Sequence, residues 1–145
     1  MASKPTVVFD TQIILRALIN PRSVCGRLLY EHAPHYRLAI SASILAEIVD
    51  VLNRPAIREK FPQITNERMA AVLSALTETE LEEPEEIEPV SRDPKDDKFL
   101  ACAKAAGATF LVSEDKDLLV LERFGQCQVV DAQTFLRVLE TPKSE

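Results

Sequence analysis

Residues 91–121, SRDPKDDKFLACAKAAGATFLVSEDKDLLVL, constrain the fold more than any other stretch, because they set a helix, a strand and a polar turn in immediate succession. Asp93 followed by Pro94 marks a helix start, since an Asp oxygen accepts from orphan N–H groups and Pro fits the first helical position. Phe99, Leu100, Ala103 and Ala106 recur at helical spacing, and Gly107 supplies a left-handed cap. Residues 109–112 (TFLV) form a short apolar run of strand type, which stops at the polar turn 113–117. Capping accounts for Asp93, and the helix dipole accounts for Asp96. Asp97 is different: with Leu100 and Ala101 three and four residues on, it borders the buried stripe. Helix starts and the C-terminal ends of strands are where an open α/β sheet places its crevice, so the stretch offers Asp97 and Asp115 to one cleft.

The rest of the chain repeats this grammar. Residues 6–9 (TVVF) form a β-type run ending at Asp10, and Ile13, Ile14, Ala17 and Leu18 then follow at helical spacing until Asn20-Pro21. No Gly-rich loop joins strand to helix, so the phosphate cradle of a P-loop or dinucleotide fold is missing. Ser23 can cap a helix running to about Ala33, residues 38–40 form a second strand, and Ser41 or Ser43 can cap the next helix. There Ile44, Leu45, Ile48, Val49 and Leu52 make an apolar stripe flanked by Glu47, while Asp50 projects to the other side. Thr65 caps a helix whose inner face reads Met69, Val72, Leu73 and Leu76. Residues 87–90 form a short edge strand interrupted by Pro89, residues 127–130 form a last strand, and Asp131 caps the closing helix around Phe135, Leu136 and Leu139. Strands alternate with helices and no hairpin signal is present. The pattern predicts one α/β domain over residues 1–145, with a mainly parallel sheet of four to five strands and helices on both faces.

A length of 145 residues, 46% of them hydrophobic and 28% charged, fits one ordinary globular domain. The absence of a basic start and cleavage site argues against secretion, and no apolar run approaches the ~18 residues of a spanning helix. The three cysteines, Cys25, Cys102 and Cys127, have no paired spacing and read as free thiols of a reducing cytoplasm. The net charge of −6 seems to exclude nucleic acid, yet residues 77–88 hold seven Glu and no Lys or Arg, and without them the chain carries +1. Arg16, Arg22, Arg27, Arg54, Arg58, Lys60, Arg92, Lys95 and Lys98 are therefore available to line a local phosphate-binding surface, although no RNA-binding residue is assigned.

Four acids are candidates for one site: Asp10 after the first strand, Glu47 in the third helix, and Asp97 and Asp115. Singly, each has a plain alternative as a cap, a dipole-favoured residue or a solvated flank. As a set they fall on one side of a parallel sheet, and such crowding is tolerated when a divalent cation occupies it. Oxygen-only ligands favour Mg²⁺ or Mn²⁺ over zinc, and a hard dication suits phosphate diesters. No G-x-S-x-G or Cys/His pairing offers nucleophilic catalysis. His32 and His35 lie where a helix runs into Pro34, away from the acids, and read as surface residues. A receiver-type signalling domain shares the acidic pocket but needs a Lys after a late strand, where this chain has Ser113-Glu114-Asp115 and Asp131.

With these acids in place the sequence resembles a PIN domain over nearly its whole length. The segments that carry the likeness are VVFDTQ, SASILAEIVDVLNRP and RDPKDDKFLACAKAAGATFLVSEDKDLL, the last being the most specific through its Asp-x-x-Leu-Ala, strand and Ser-x-Asp sequence. It is especially similar to bacterial PIN proteins of toxin–antitoxin pairs. The resemblance implies a three-layer α/β/α fold and a Mg²⁺- or Mn²⁺-dependent endoribonuclease acting on single-stranded RNA. It implies Asp10, Glu47, Asp97 and Asp115 as the catalytic acids, with Asp10, Asp97 and Asp115 on metal. Ser113 would fix a carboxylate, and Asp117 can share or replace the role of Asp115. Gln12 stands where Asn is frequent, and Glu114 adds an acid beside Asp115. A homodimer and a small antitoxin partner follow from the same resemblance, while the thiols and the lack of a long apolar run point to the cytoplasm with no membrane role. A catalytically weak PIN-like module acting through a protein partner is the alternative.

Overall fold

The computed structural model describes residues 4–77, 79, 81–82 and 94–141. In chain order the first half runs β1 (Thr6–Phe9), α1 (Thr11–Ile19), α2 (Val24–Tyr30), β2 (Arg37–Leu38), β3 (Ile40–Ser41), α3 (Ala42–Leu52), α4 (Pro55–Lys60) and α5 (Asn66–Thr77). There follow β4 (Leu81–Glu82), α6 (Asp97–Ala106), β5 (Phe110–Val112), α7 (Lys116–Leu119), β6 (Arg123–Phe124), β7 (Cys127–Val130) and α8 (Ala132–Glu140). Two 3₁₀ turns, Ala33–His35 and Pro94–Asp96, complete the set.

Five strands form one sheet in the order β2-β1-β5-β7-β6, parallel except for β6. This is the mainly parallel, helix-flanked α/β architecture that the alternation of strands and helices predicts. Val7, Val8 and Phe9 are all buried, as are Phe110, Leu111 and Val112, because helices cover both faces of the central strands. On one face Phe135 of α8, fully buried, meets Phe9 and Phe110 at ring-centroid separations of 6.3 and 5.2 Å. Tyr36 joins this group 5.3 Å from Phe9 and donates its hydroxyl to the Leu28 carbonyl at 2.9 Å. Buried aromatic side chains of this kind each contribute roughly 1.5–3 kcal/mol. Helix α6 packs on β1 and β5 through its Phe99, Leu100 and Ala103 stripe and ends at Gly107, whose φ of 63° is the left-handed cap the sequence requires. The turn between α1 and α2 folds back so closely on α2 that a Cβ on Gly26 would lie 2.6 Å from Pro21 Cα.

Three features depart from the sequence reading. The second strand is divided: Arg37–Leu38 pairs with β1, whereas Ile40–Ser41 pairs in parallel with Leu81–Glu82, a strand inside the Glu-rich segment that was not expected. A hairpin exists where none was read. Phe124 and Cys127 pair antiparallel across Gly125-Gln126, and Gly125 has the positive φ (61°) that a two-residue loop needs at its first position. Strand β6 has only two residues, too short to show a period. Finally, α6 is preceded by the Pro94–Asp96 turn rather than starting at Pro94. The expected strand over residues 87–90 and the cap at Asp93 lie outside the described residues.

Candidate metal and catalytic site

Register builds the site. Phe9 pairs with Val112 and Val112 with Val130, so the next residues, Asp10, Ser113 and Asp131, leave three adjacent strands at one edge of the sheet. The ladder continues one step further, with Asp10 N–H donating to the Val112 carbonyl and Ser113 N–H to the Val130 carbonyl, both at 3.0 Å. Helices α1 and α8 begin immediately after Asp10 and Asp131, and each acid caps its helix. Asp10 Oδ1 accepts from Gln12 N–H at 2.6 Å, and Asp131 Oδ1 accepts from Thr134 N–H at 2.8 Å. The Thr134 hydrogen bonds hold the Asp131 carboxyl below the ordinary range, as expected of a cap in solvent reach.

Asp10 behaves oppositely. It is 4% exposed, and burial pushes its carboxyl above the usual 3.8 against the pull of the Ser113 and Gln12 hydrogen bonds; the charges of Asp115 and Glu47 push the same way as burial. A carboxylate destabilised by its surroundings in this manner is a recognised mark of a functional site. Ser113, with no exposed surface, is the hub: its hydroxyl donates to Asp10 Oδ2 and accepts from Asp115 N–H at 2.9 Å. Asp115 in turn caps α7 by accepting from Asp117 N–H at 2.8 Å.

The carboxylates of Asp96, Asp115 and Asp117 approach until one oxygen of each lies within 4.8 Å of the others. Asp96 is buried, and the other two are half-buried. Two unit charges at that distance repel by about 3–4 kcal/mol at an effective dielectric near 20. The spacing suits a hard dication, because oxygens held ~2.0–2.6 Å from one ion lie at most about 5 Å apart. The residue that joins Asp115 and Asp117 in this three-acid group is therefore Asp96, which the sequence analysis assigned to the helix dipole. Asp97, one residue on, is buried in the first turn of α6 at 4% exposure and stands outside the group. The 3₁₀ turn explains the difference: it advances about 120° per residue against 100° in an α-helix, so periodicity counted back from α6 misplaces Asp96.

Glu47 reaches the same region from α3, where it accepts from the Thr11 hydroxyl of α1 and pairs with Lys98 of α6 at 2.8 Å. It thus ties three helices beside Asp10 and is close enough to raise the Asp10 carboxyl. Lys98 also donates to the Lys95 carbonyl at 2.5 Å. Glu114, read as an extra site acid, instead accepts from Ala132 N–H at 3.2 Å and satisfies an orphan donor of α8. Sequence reasoning did not place Asp96 or Thr11 among the candidate acids and their partners, and it read Lys98 only as a residue of the basic surface around them. The adjacent Asp96-Asp97 pair was the available signal for Asp96, and no local signal marked Thr11 or the pairing of Lys98 with Glu47. Among the described residues no helix is long and apolar enough to cross a membrane.

Residues 6–117 match the family model of the PIN domain. That span starts at β1 and ends on Asp117, so it contains Asp10, Glu47, Asp96, Asp97, Asp115 and Asp117 but not Asp131. No curated protein matches the chain.

Proposed function

The chain belongs to the PIN-domain family, a nuclease-type fold, and from that premise we propose that it is a metal-dependent endoribonuclease that cleaves single-stranded RNA. The observation that carries the reading is the acid assembly at the C-terminal sheet edge. Asp10 is buried with a raised carboxyl, and beside it Asp96, Asp115 and Asp117 converge within 4.8 Å. In this reading Asp10, Asp96 and Asp115 would hold Mg²⁺ or Mn²⁺, with Asp117 sharing the Asp115 end and Asp97 as the alternative to Asp96 one residue along α6. The bound cation supplies charge neutralisation at a phosphate diester and an activated water. The chain's own residues do the rest. Ser113 fixes the Asp10 carboxylate in the orientation the site needs, and Asp115 holds the start of α7 so that Asp117 faces it. Glu47 holds Thr11 and Lys98 in place; it would take the proton of the attacking water as the new P–O bond forms, while the P–O bond to the leaving ribose oxygen breaks and that oxygen takes a proton from solvent.

The toxin role, with a homodimer and a small antitoxin in the cytoplasm, belongs to the same proposal and rests on the likeness of the RDPKDDKFLACA segment to such proteins. The whole chain is taken as one domain, since β7 and α8, beyond the matched span, complete the sheet and its aromatic core. The test is cleavage of a mixed-sequence single-stranded RNA by purified protein with Mg²⁺ or Mn²⁺. EDTA and Asp10→Asn should each abolish it while circular dichroism stays unchanged. Cleavage that survives both, or no cleavage with either ion, removes the proposal.

A further inference from the structure

His32 and His35 face each other at the end of α2, away from every acid named above in chain and in contacts. The Ala33–His35 turn is 3₁₀, in which residues three apart eclipse, and Pro34 together with the His35 N–H to His32 carbonyl bond (2.8 Å) fixes that turn. The result places His32 Nδ1 3.2 Å from His35 Nδ1. On the far side of its ring, His32 Nε2 lies 3.3 Å from Glu140 Oε2, at the last residue of α8. Glu140 is itself held by Arg27 at 2.6 Å, and Arg27 also meets Glu31 at 3.4 Å.

A carboxylate at Nε2 places the ring hydrogen there, so the His32 Nδ1 lone pair accepts from His35 Nδ1–H; an ion bound between the two nitrogens takes the place of that hydrogen, with His35 carrying its own on Nε2. We propose that His32 and His35 form a two-nitrogen clamp for a divalent transition-metal ion, with Glu140 as the residue that orients His32. Imidazole nitrogens bind such ions at ~2.0–2.1 Å, and two of them 3.2 Å apart subtend roughly 100° at the metal, suited to tetrahedral or octahedral coordination. The His32–Glu140 contact is the arrangement metal-bound histidines use to fix tautomer and raise basicity. His35 is exposed and His32 keeps 13% of its side chain in solvent, so water can fill the remaining positions. Imidazole ligands select Ni²⁺, Cu²⁺ or Zn²⁺ over Mg²⁺, which separates this clamp chemically from the carboxylate site. The thiols do not compete, because all three cysteines are buried and burial pushes Cys25 and Cys127 up to about 11.

The test is Ni²⁺ titration of the full chain in excess Mg²⁺, which fills the carboxylate site, followed by calorimetry and by paramagnetic broadening of NMR signals. The expected result is one Ni²⁺ per chain, with broadening centred on His32 and His35. His35→Gln and His32→Gln should each weaken binding by at least about tenfold, and Glu140→Gln should weaken it while keeping the stoichiometry. Unchanged Ni²⁺ affinity in His35→Gln, or broadening centred on Asp96, Asp115 and Asp117, overturns the clamp. Unchanged affinity in Glu140→Gln overturns the orienting role. None of these outcomes depends on ribonuclease activity.

Discussion

Replacing Ser113 by Ala removes one oxygen and two hydrogen bonds. The bond to Asp10 is charge-assisted, worth about 1.5–3 kcal/mol net, and the one from Asp115 N–H about 0.5–1.5 kcal/mol. With Ser113 fully buried, nothing else in the wild-type geometry replaces them, so the loss is about 2–4 kcal/mol. The variant's deficit also depends on pH. Asp10 already sits above 3.8, chiefly through burial, and the Ser113 bond is the largest influence opposing that rise. Without the bond its folded value climbs further. An acid raised on folding contributes stability that is present below its unfolded value and lost as pH rises through the folded one. The deficit should therefore be smaller near pH 4 than near pH 7, a window set by the ordinary value and the direction of the shift. Urea denaturation in EDTA at the two pH values measures it, and Mn²⁺ affinity should fall by about 10–100-fold. A deficit below ~0.5 kcal/mol, or one that is equal at both pH values, refutes the reasoning that Ser113 restrains a buried, strained carboxylate.

Asp10→Asn keeps an acceptable cap while removing the buried charge, so in EDTA at neutral pH it should melt at or above wild type, an advantage that vanishes below 3.8; a lower melting temperature at neutral pH contradicts the strained carboxylate. Mg²⁺ or Mn²⁺ at ~100 times its Kd should then stabilise wild type by about 2.7 kcal/mol and the variant by less. Asp96→Asn should weaken Mn²⁺ binding by at least about tenfold, and an effect confined to Asp97→Asn would move the site one residue along α6. Gly26→Ala should destabilise the fold by about 3 kcal/mol, because its methyl meets Pro21 backbone; a loss under ~1 kcal/mol in urea titration would mean that the turn at Pro21 moves aside freely.

Much of this arrangement is written locally. TVVF followed by Asp10, and TFLV followed by Ser113-Glu114-Asp115, announce strands that end in polar residues. Asp10, Ser23, Ser41, Thr65, Asp115 and Asp131 all accept from the helix starts where their residue types are favoured. Gly107 ends α6 because only a residue tolerant of positive φ continues the chain there. Such features depend on neighbours within about four residues, so one sequence suffices to read them. Parallel pairing then carries the strand-end acids to a common edge whatever the loops between them. The remainder required the tertiary structure. Whether Asp96 or Asp97 joins Asp115 depends on a 3₁₀ turn that sequence periodicity does not distinguish from an α-helical one. Whether Glu114 serves the site or the start of α8 depends on where β7 lies. The Glu47 contacts with Thr11 and Lys98 link three helices, and the facing of His32 toward Glu140 spans 108 residues. In each case the deciding partner is distant in sequence and is chosen by packing and strand register.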